Sequence, residues 1–422
     1  MLERSQAFPV SVDLNVTSQN VQEVATCLET HMHHIRQLSL DIKHILSTDE
    51  DVLLSHALQA SAPMLQRFLI YNPDSSFVYR PHAELFGARA PNFSVLKLQG
   101  EYGHFSEGAS VLNGVRRLIY GKAVWLLLDD LSSLFGIFTT VEELCIDLDD
   151  VNEVGTGELV FPPSLRTFVI VSRVPEFDPD VLFSVSTHAI SNLRHIGVSF
   201  IGTTPSSDIG MTLLSSLLAA RGAITSLALT SMRNKEHVVT LHARNASGRK
   251  CTLVDIPVPV RKQWLPGMLE HLTFLSLSEV LWSVVLPLPP LPVLEEVEIR
   301  MLLPVAIPGH SHNSIFMHTS RDSAYTLECP LLRTLAITAR PHADPLAVNG
   351  SAVLAPDILR EFIEQRLSFR STKLQLLCMR GTRLLQNVVG EVVRLFSLVD
   401  EFRIEDGQPL LTADLDDLLT WV

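Results

Sequence analysis

A short template, apolar-x-x-apolar-x-apolar, returns thirteen times along the chain and limits its fold more than any other feature. It reads IRQLSL at 35, LQRFLI at 65, FSVLKL at 93, VRRLIY at 115, VEELCI at 141, LRTFVI at 165 and LRHIGV at 193. It continues as ITSLAL at 224, LTFLSL at 272, LEEVEI at 294, LRTLAI at 332, LQLLCM at 374 and VDEFRI at 399. Most copies begin 22 to 31 residues after the one before. The count alone is a weak argument: if about a third of residues qualify at each fixed position, on the order of ten matches arise by chance. A proline register is sharper. Pro63, Pro91, Pro163, Pro292 and Pro330 each stand two positions before the first apolar residue, where chance would place about one.

A short strand accounts for the template. Side chains alternate across a strand, so the second and third apolar residues share one face and the residues between and after them share the other. Proline fits just ahead, where no ladder hydrogen bond is needed. Between the strands lie stretches with helical spacing. Val21, Val24, Ala25 and Leu28 follow Ser18, and Ile358, Phe362, Ile363 and Leu367 follow Asp357, both expected caps. Residues 208–220 and 384–396 read the same way. The fold class expected is therefore α/β, with strand and helix repeating into a solenoid. Residues 1–30 are expected to form an N-terminal strand and helix cap, 31–405 the repeat array and 406–422 a C-terminal cap. Longer steps should hold insertions: a β-hairpin at 237–258, whose centre NASGRK is rich in turn formers, a loop at 303–328, and PHADPLAVNGSA further on.

Composition narrows the function. The chain has 422 residues, 46% of them hydrophobic, enough to bury a large core as two or three domains or as one long array. Its 46 acidic and 33 basic side chains leave a net charge of −13. That disfavours nucleic acid and anionic membrane, which need clustered Lys and Arg. Five dispersed cysteines without CxxC spacing point away from disulfides and zinc and toward a reducing compartment. No signal peptide or membrane-spanning run is legible, so a cytoplasmic or nuclear location is expected.

On these repeats, and above all on CPLLRTLAI at 329–337, the chain resembles leucine-rich-repeat proteins of the irregular kind attached to F-box proteins. The resemblance covers residues 31–405. The opening LERSQAFPVSVDLNV is similar to the segment after the F-box in the large F-box family of mushroom-forming fungi, matched at Leu2, Arg4, Ser5, Pro9, Val10, Val12 and Leu14. The resemblance implies a curved leucine-rich-repeat solenoid and a non-enzymatic, protein-binding scaffold without cofactor, part of a ubiquitin-ligase adaptor. The F-box helices and their Leu-Pro motif are not in this sequence, so the chain is expected to be a truncated product or a free repeat domain. A Skp-type linker is a partner only if an F-box lies upstream. The asparagine ladder of secreted repeat proteins is also missing.

Few residues beside the repeats stand in patterns that chemistry would require. In VEELCIDLDD (141–150), Asp147 and Asp149 suit calcium-loop positions 1 and 3 and Glu158 position 12, but Val151 and Asn152 break the pattern. The carboxylates read as a strand end meeting a loop. His31, His33 and His34 (HMHH), and His310 and His312 (GHSH), lack partners at recognisable metal-ligand spacing and read as surface histidines. P-loop, GxGxxG, GxSxG and HExxH motifs are absent. Cys145 and Cys378, midway in repeat strands, read as small strand residues rather than nucleophiles. No catalytic, cofactor-binding or metal residue is assigned, and beside the free-standing repeat protein the last alternative is an enzyme with a dispersed active site. A solenoid binds through the residues that alternate with its core. In the early repeats these are mixed and charged, whereas Val169, Val171, Gly197 and Ala228 make the middle smooth and apolar. Arg67, Lys97, Arg117, Glu143 and Asp147 are the expected partner-binding patch on the concave face.

Overall fold

The computed structural model describes residues 8–43, 46–71, 84–99, 110–121, 128–148, 160–173, 192–201, 217, 222–231, 238–257, 267–282, 288–301, 326–339, 352–385 and 389–405. They fall into two compact units, Met1–Thr203 and Thr204–Val422. The protein is α/β, with mostly parallel strands and, among the described residues, few helices.

The first unit holds β1 (Val10–Val16), β2 (Ile35–Ile42), β3 (Arg67–Tyr71), β4 (Val95–Gln99), β5 (Arg117–Gly121), β6 (Glu143–Leu148), β7 (Thr167–Ser172) and β8 (His195–Phe200). Each pairs in parallel with the next in chain order. The register superposes the template copies: Leu38, Phe68, Leu96, Leu118, Leu144, Phe168 and Ile196 stand side by side in one row. All seven are buried. A one-residue slip would turn every one of them to the other face, which is why the apolar pattern fixes the pairing.

The ladder begins before the strands do. The carbonyl of Arg116 accepts from the backbone N–H of both Glu142 (2.7 Å) and Glu143 (2.9 Å), and that of Glu142 from Arg166 (2.7 Å) and Thr167 (3.0 Å). The same two-donor pattern recurs at Gln66, Ser94 and Arg166. Just ahead lies the reason for the prolines. The first apolar residue of a copy donates its N–H to the carbonyl three positions back: Leu65 to Ala62, Phe93 to Ala90, Leu165 to Pro162, Leu294 to Leu291 and Leu332 to Cys329. Pro63, Pro91, Pro163, Pro292 and Pro330 therefore occupy the second position of a hydrogen-bonded turn, where a pre-set φ near −65° is wanted and an N–H is not. Val115, Val141 and Leu272 close the same turn without proline.

The second unit contains β9 (Ile224–Ser231), β10 (Val238–Asn245), β11 (Lys250–Pro257), β12 (Phe274–Ser278), β13 (Glu296–Met301), β14 (Leu327–Glu328), β15 (Thr334–Ala339), β16 (Ala352–Leu354), β17 (Leu367–Ser368), β18 (Leu374–Arg380), β19 (Thr382–Leu384) and β20 (Val399–Glu405). The strands β9, β12, β13, β15, β18 and β20 form a parallel run in that order. The β10–β11 hairpin occupies 238–257 and turns on Asn245, whose Oδ1 accepts from the N–H of Ser247 and Arg249, and on Gly248 at φ +78°. It does not hang off the array: β10 also pairs antiparallel with β9 and extends the sheet. Two small parallel pairs, β14–β17 and β16–β19, lie outside the main run. The expected loop at 303–328 falls outside the described residues except for 326–328, as do PHADPLAVNGSA except for its last residue, Ala352, the segment 406–422, and all of 208–220 but Leu217.

Helices connect some of the strands. Helix α1 (Val21–His31) buries Val21, Val24, Ala25 and Leu28, the four residues expected. Asn20 rather than Ser18 sits at its N-terminus, and the Asn20 side chain accepts from Thr17 N–H and donates to the Asn15 carbonyl. Helix α2 (Thr48–Ala57) opens on a capping box between Ser47 and Glu50. Next come α3 (Leu128–Ile137), α4 (Pro356–Arg366) and α5 (Val389–Ser397). In α4 the expectation of an Asp357 cap is corrected: Pro356 takes the first turn, Asp357 lies inside the helix and Ala355 precedes it without a side-chain cap bond. Its buried face carries Leu359, Phe362 and Ile363 rather than Ile358, and Leu367 belongs to β17. Other described connections are short turns, among them a 3-10 turn at Ser110–Gly114 and a turn at Leu85–Ala88 in which Phe86, Gly87 and Ala88 take positive φ. Among the described residues the alternation of strand with helix is less regular than the repeat suggests.

The smooth apolar middle is a second correction. Val169 and Val171 are 1% and 2% exposed, and β7 and β8 are buried on both faces. TFVIVS and HIGVSF are near-continuous apolar runs, as strands covered on two sides require. At β20 the row ends openly. The third template residue is fully buried in β2, β6, β9 and β15 (Leu40, Ile146, Leu229, Ile337), yet Ile404 is 61% exposed.

Candidate functional site

The outward rows of β1–β6 are the open part of the first unit's sheet. Exposure falls along the strands: Asp13 and Arg67 are exposed, Lys97 and Arg117 half-buried, and Ile119, Gly121 and Cys145 buried. The parallel register gathers the five expected patch residues. Arg67, Val95, Arg117 and Glu143 follow one another in one row, Leu69, Lys97 and Ile119 in the next, and Tyr71, Gln99, Gly121 and Asp147 in a third. Gly121 keeps that third row flat, since a Cβ there would stand 3.4 Å from Gln99 Cγ and 3.6 Å from Asp147 Cβ.

The five residues are not equivalent. Arg117 Nε stands 3.5 Å from Glu143 Oε2. Asp147 accepts both guanidinium arms of Arg173, Nε at 3.2 Å and Nη2 at 2.9 Å. This fork is the strong geometry for such a pair, and it gives Asp147 a structural partner rather than a metal. Asp149, Asp150 and Glu158 lie outside the described residues. Arg67 and Lys97 have no hydrogen-bond or ion-pair partner among the described residues.

Burial shapes the remaining candidates. His34 is 7% exposed, so the surface reading fails for it: its Nδ1 lies 3.2 Å from His33 Nε2. Burial first, then the neighbouring His33 and His31, lowers its pKa and keeps its ring neutral near pH 7. Among the described residues no three His, Cys, Asp or Glu side chains come together as a metal site. His310 and His312 are outside those residues. Burial pushes the Cys145 thiol up to about 12 and that of Cys378 to about 11. In the folded protein at pH 8, Cys145 should resist iodoacetamide and react only after unfolding in urea. Rapid labelling of native protein, followed by mass spectrometry, would restore the nucleophile reading. A cleft bounded by Ser132, Phe135, Thr139, Phe161 and Pro162 offers hydroxyls and apolar walls but no titratable lining group.

The second unit carries a polar cluster that the template did not reveal. Glu298, in β13, is 0% exposed. Its Oε2 accepts from Ser276 Oγ (2.6 Å) and Arg300 Nε (3.0 Å), and its Oε1 from Thr338 Oγ1 (2.8 Å). Arg380 Nη1 stands 3.8 Å from Oε1, and Arg380 Nε donates to Glu405 Oε2 at 3.0 Å. One carboxylate thus ties β12, β13, β15 and β18, and Arg380 carries the link to β20. Writing out the row one step beyond the core, Ser278, Arg300, Thr338, Arg380 and Glu405, beside the row of Ser276 and Glu298, would have exposed the cluster in the sequence.

No protein-family model and no curated protein matches this chain. Among the described residues no helix is long and apolar enough to cross a membrane.

Proposed function

We propose that the chain is a non-catalytic protein–protein interaction scaffold, its strands stacked in leucine-rich-repeat fashion, with the open face of β1–β6 as the partner-binding surface. The observation that carries this reading is the shared face on which Arg67, Lys97, Arg117, Glu143 and Asp147 are aligned by parallel pairing, while at β7 and β8 most of the corresponding side chains are buried. Repeat folds bind through extended faces of this kind. The net charge of −13 weighs against nucleic acid and anionic membrane as the partner. In its narrower form the scaffold is the substrate-recognition part of an F-box-type ubiquitin-ligase adaptor in the cytoplasm or nucleus. The Pro9-led opening, whose strand Val10–Val16 joins the sheet, supports that form. The alternative is a free-standing repeat protein with no ligase connection.

Affinity purification with mass spectrometry tests the reading. Arg67→Glu combined with Arg117→Gln should remove the partner from the eluate while leaving stability within about 0.5 kcal/mol of wild type. Glutamine is chosen at 117 because a carboxylate there would face Glu143. Recovery of the same proteins by the variant would sink the surface. A purified longer gene product that brings down no Skp-type linker would remove the ligase form and leave the free-standing one.

A further inference from the structure

Resting on the interaction reading above, we propose that the open face recognises an extended acidic peptide with carboxylates at alternate positions. Charge on this face runs in stripes across the strands. Asp13 and Asp41 lie on β1 and β2, Arg67, Lys97 and Arg117 on β3–β5, and Glu143 and Asp147 on β6. Three of these carboxylates already have partners within the chain: Asp41 pairs with Lys43, Glu143 with Arg117 and Asp147 with Arg173. Arg67 and Lys97 do not pair among the described residues. In a chain whose 46 acidic side chains outnumber its 33 basic ones, an internal carboxylate is the default partner for a cation, so two adjacent cations that have none among the described residues are placed to meet an outside anion.

Their placement sets the spacing of that anion. Arg67 opposes Val95 and Lys97 opposes Leu69. The two cations therefore stand one strand and two residues apart, a Cα separation of roughly 8 Å from strand spacing and rise. An extended peptide presents side chains i and i+2 on the same side roughly 7 Å apart, which places one carboxylate on each cation. Leu69, half-buried, and Tyr71, exposed, lie on the same strand as Arg67 and give the next side chain of the peptide an apolar floor. Arg117 is already held by Glu143, so the stripe offers a longer run of negative charge no third open cation. That favours a short acidic motif over a polyanion such as nucleic acid.

The test is fluorescence anisotropy with a fluorescein-labelled peptide carrying Glu-Ser-Glu between glycine and serine spacers. Binding should fall about tenfold or more for the Arg67→Glu/Lys97→Glu variant and for the Gln-Ser-Gln peptide. It should also weaken as salt rises from about 0.05 to about 0.5 M, as screened surface pairs do. Circular dichroism melting should show the variant folded. Equal binding by the variant or by the glutamine peptide, or no binding of the acidic peptide, overturns the proposal. Panning a random peptide display library on wild type and variant separates this failure from that of the wider reading. Acidic peptides that lose enrichment on the variant support the proposal. Enrichment of non-acidic peptides overturns it and leaves the interaction surface standing, and no enrichment of any peptide counts against both.

Discussion

Replacing Glu298 by alanine should lower the folding stability of the protein by about 3–5 kcal/mol, the usual cost of leaving a buried charge without its partner. The geometry gives the reason. Glu298 is fully buried and accepts from Ser276, Arg300 and Thr338 on three different strands. Without it, the 7%-exposed Arg300 side chain loses its one counter-charge among the described residues and Arg380 loses one of two there. Glu298→Gln keeps a single acceptor oxygen, enough for one of the two sides that Ser276 and Thr338 approach, and removes the charge, so it should lose less than the alanine variant but still more than about 1 kcal/mol. Urea denaturation followed by circular dichroism reads both. An alanine variant that unfolds at the wild-type midpoint would mean that the cluster adds nothing to stability. A double variant, Glu298→Leu with Arg300→Met, should regain part of the loss, because apolar packing often replaces a buried ion pair without penalty.

The second large effect is expected at Phe168. This ring is fully buried in the core row of the first unit, between Leu144 on β6 and Ile196 on β8, and meets Phe161 edge-on with centroids 5.3 Å apart. Phe168→Ala should cost about 3–5 kcal/mol, the range for a large aromatic truncated in a packed core. Thermal melting would show it, and a shift no larger than that of an exposed-site control such as Arg166→Ala would contradict the register that places Phe168 in the core.

That register was legible in the sequence because the strand period of two leaves little freedom once three apolar positions are fixed. The row from Leu38 to Ile196 is the list of second apolar residues in the template, and the hairpin at 238–257 was announced by Asn245 and Gly248 between apolar runs. The prolines were read correctly as marking a boundary, but their exact function, the second position of a closed turn, needed the hydrogen bonds from Leu65, Phe93 and Leu165. What escaped was the state of the other face. Nothing local in TFVIVS says whether Val169 and Val171 meet solvent or another layer, and a strand apolar on both sides fits either until its cover is known. Glu298 escaped for the same reason: in LEEVEI it looks like any outward charge, and only neighbours distant in sequence, Ser276 and Thr338, show it to be enclosed. The patch fared in between. Its five residues do share a face, but the sequence could not separate the paired Arg117 and Asp147 from Arg67 and Lys97.

The bareness of Ile404 bears on the order in which the second unit comes apart. A stack in which each strand touches only its neighbours loosens from the place where the least apolar surface is covered. Ile404 in β20 and Val389 and Val393 in the adjoining helix α5 face solvent, whereas Leu377 and Met379 one rung earlier are sealed. Amide hydrogens of β20 should therefore exchange with deuterium well before those of β18, and the bond from Arg380 to Glu405 acts as the latch that slows the first rung's departure.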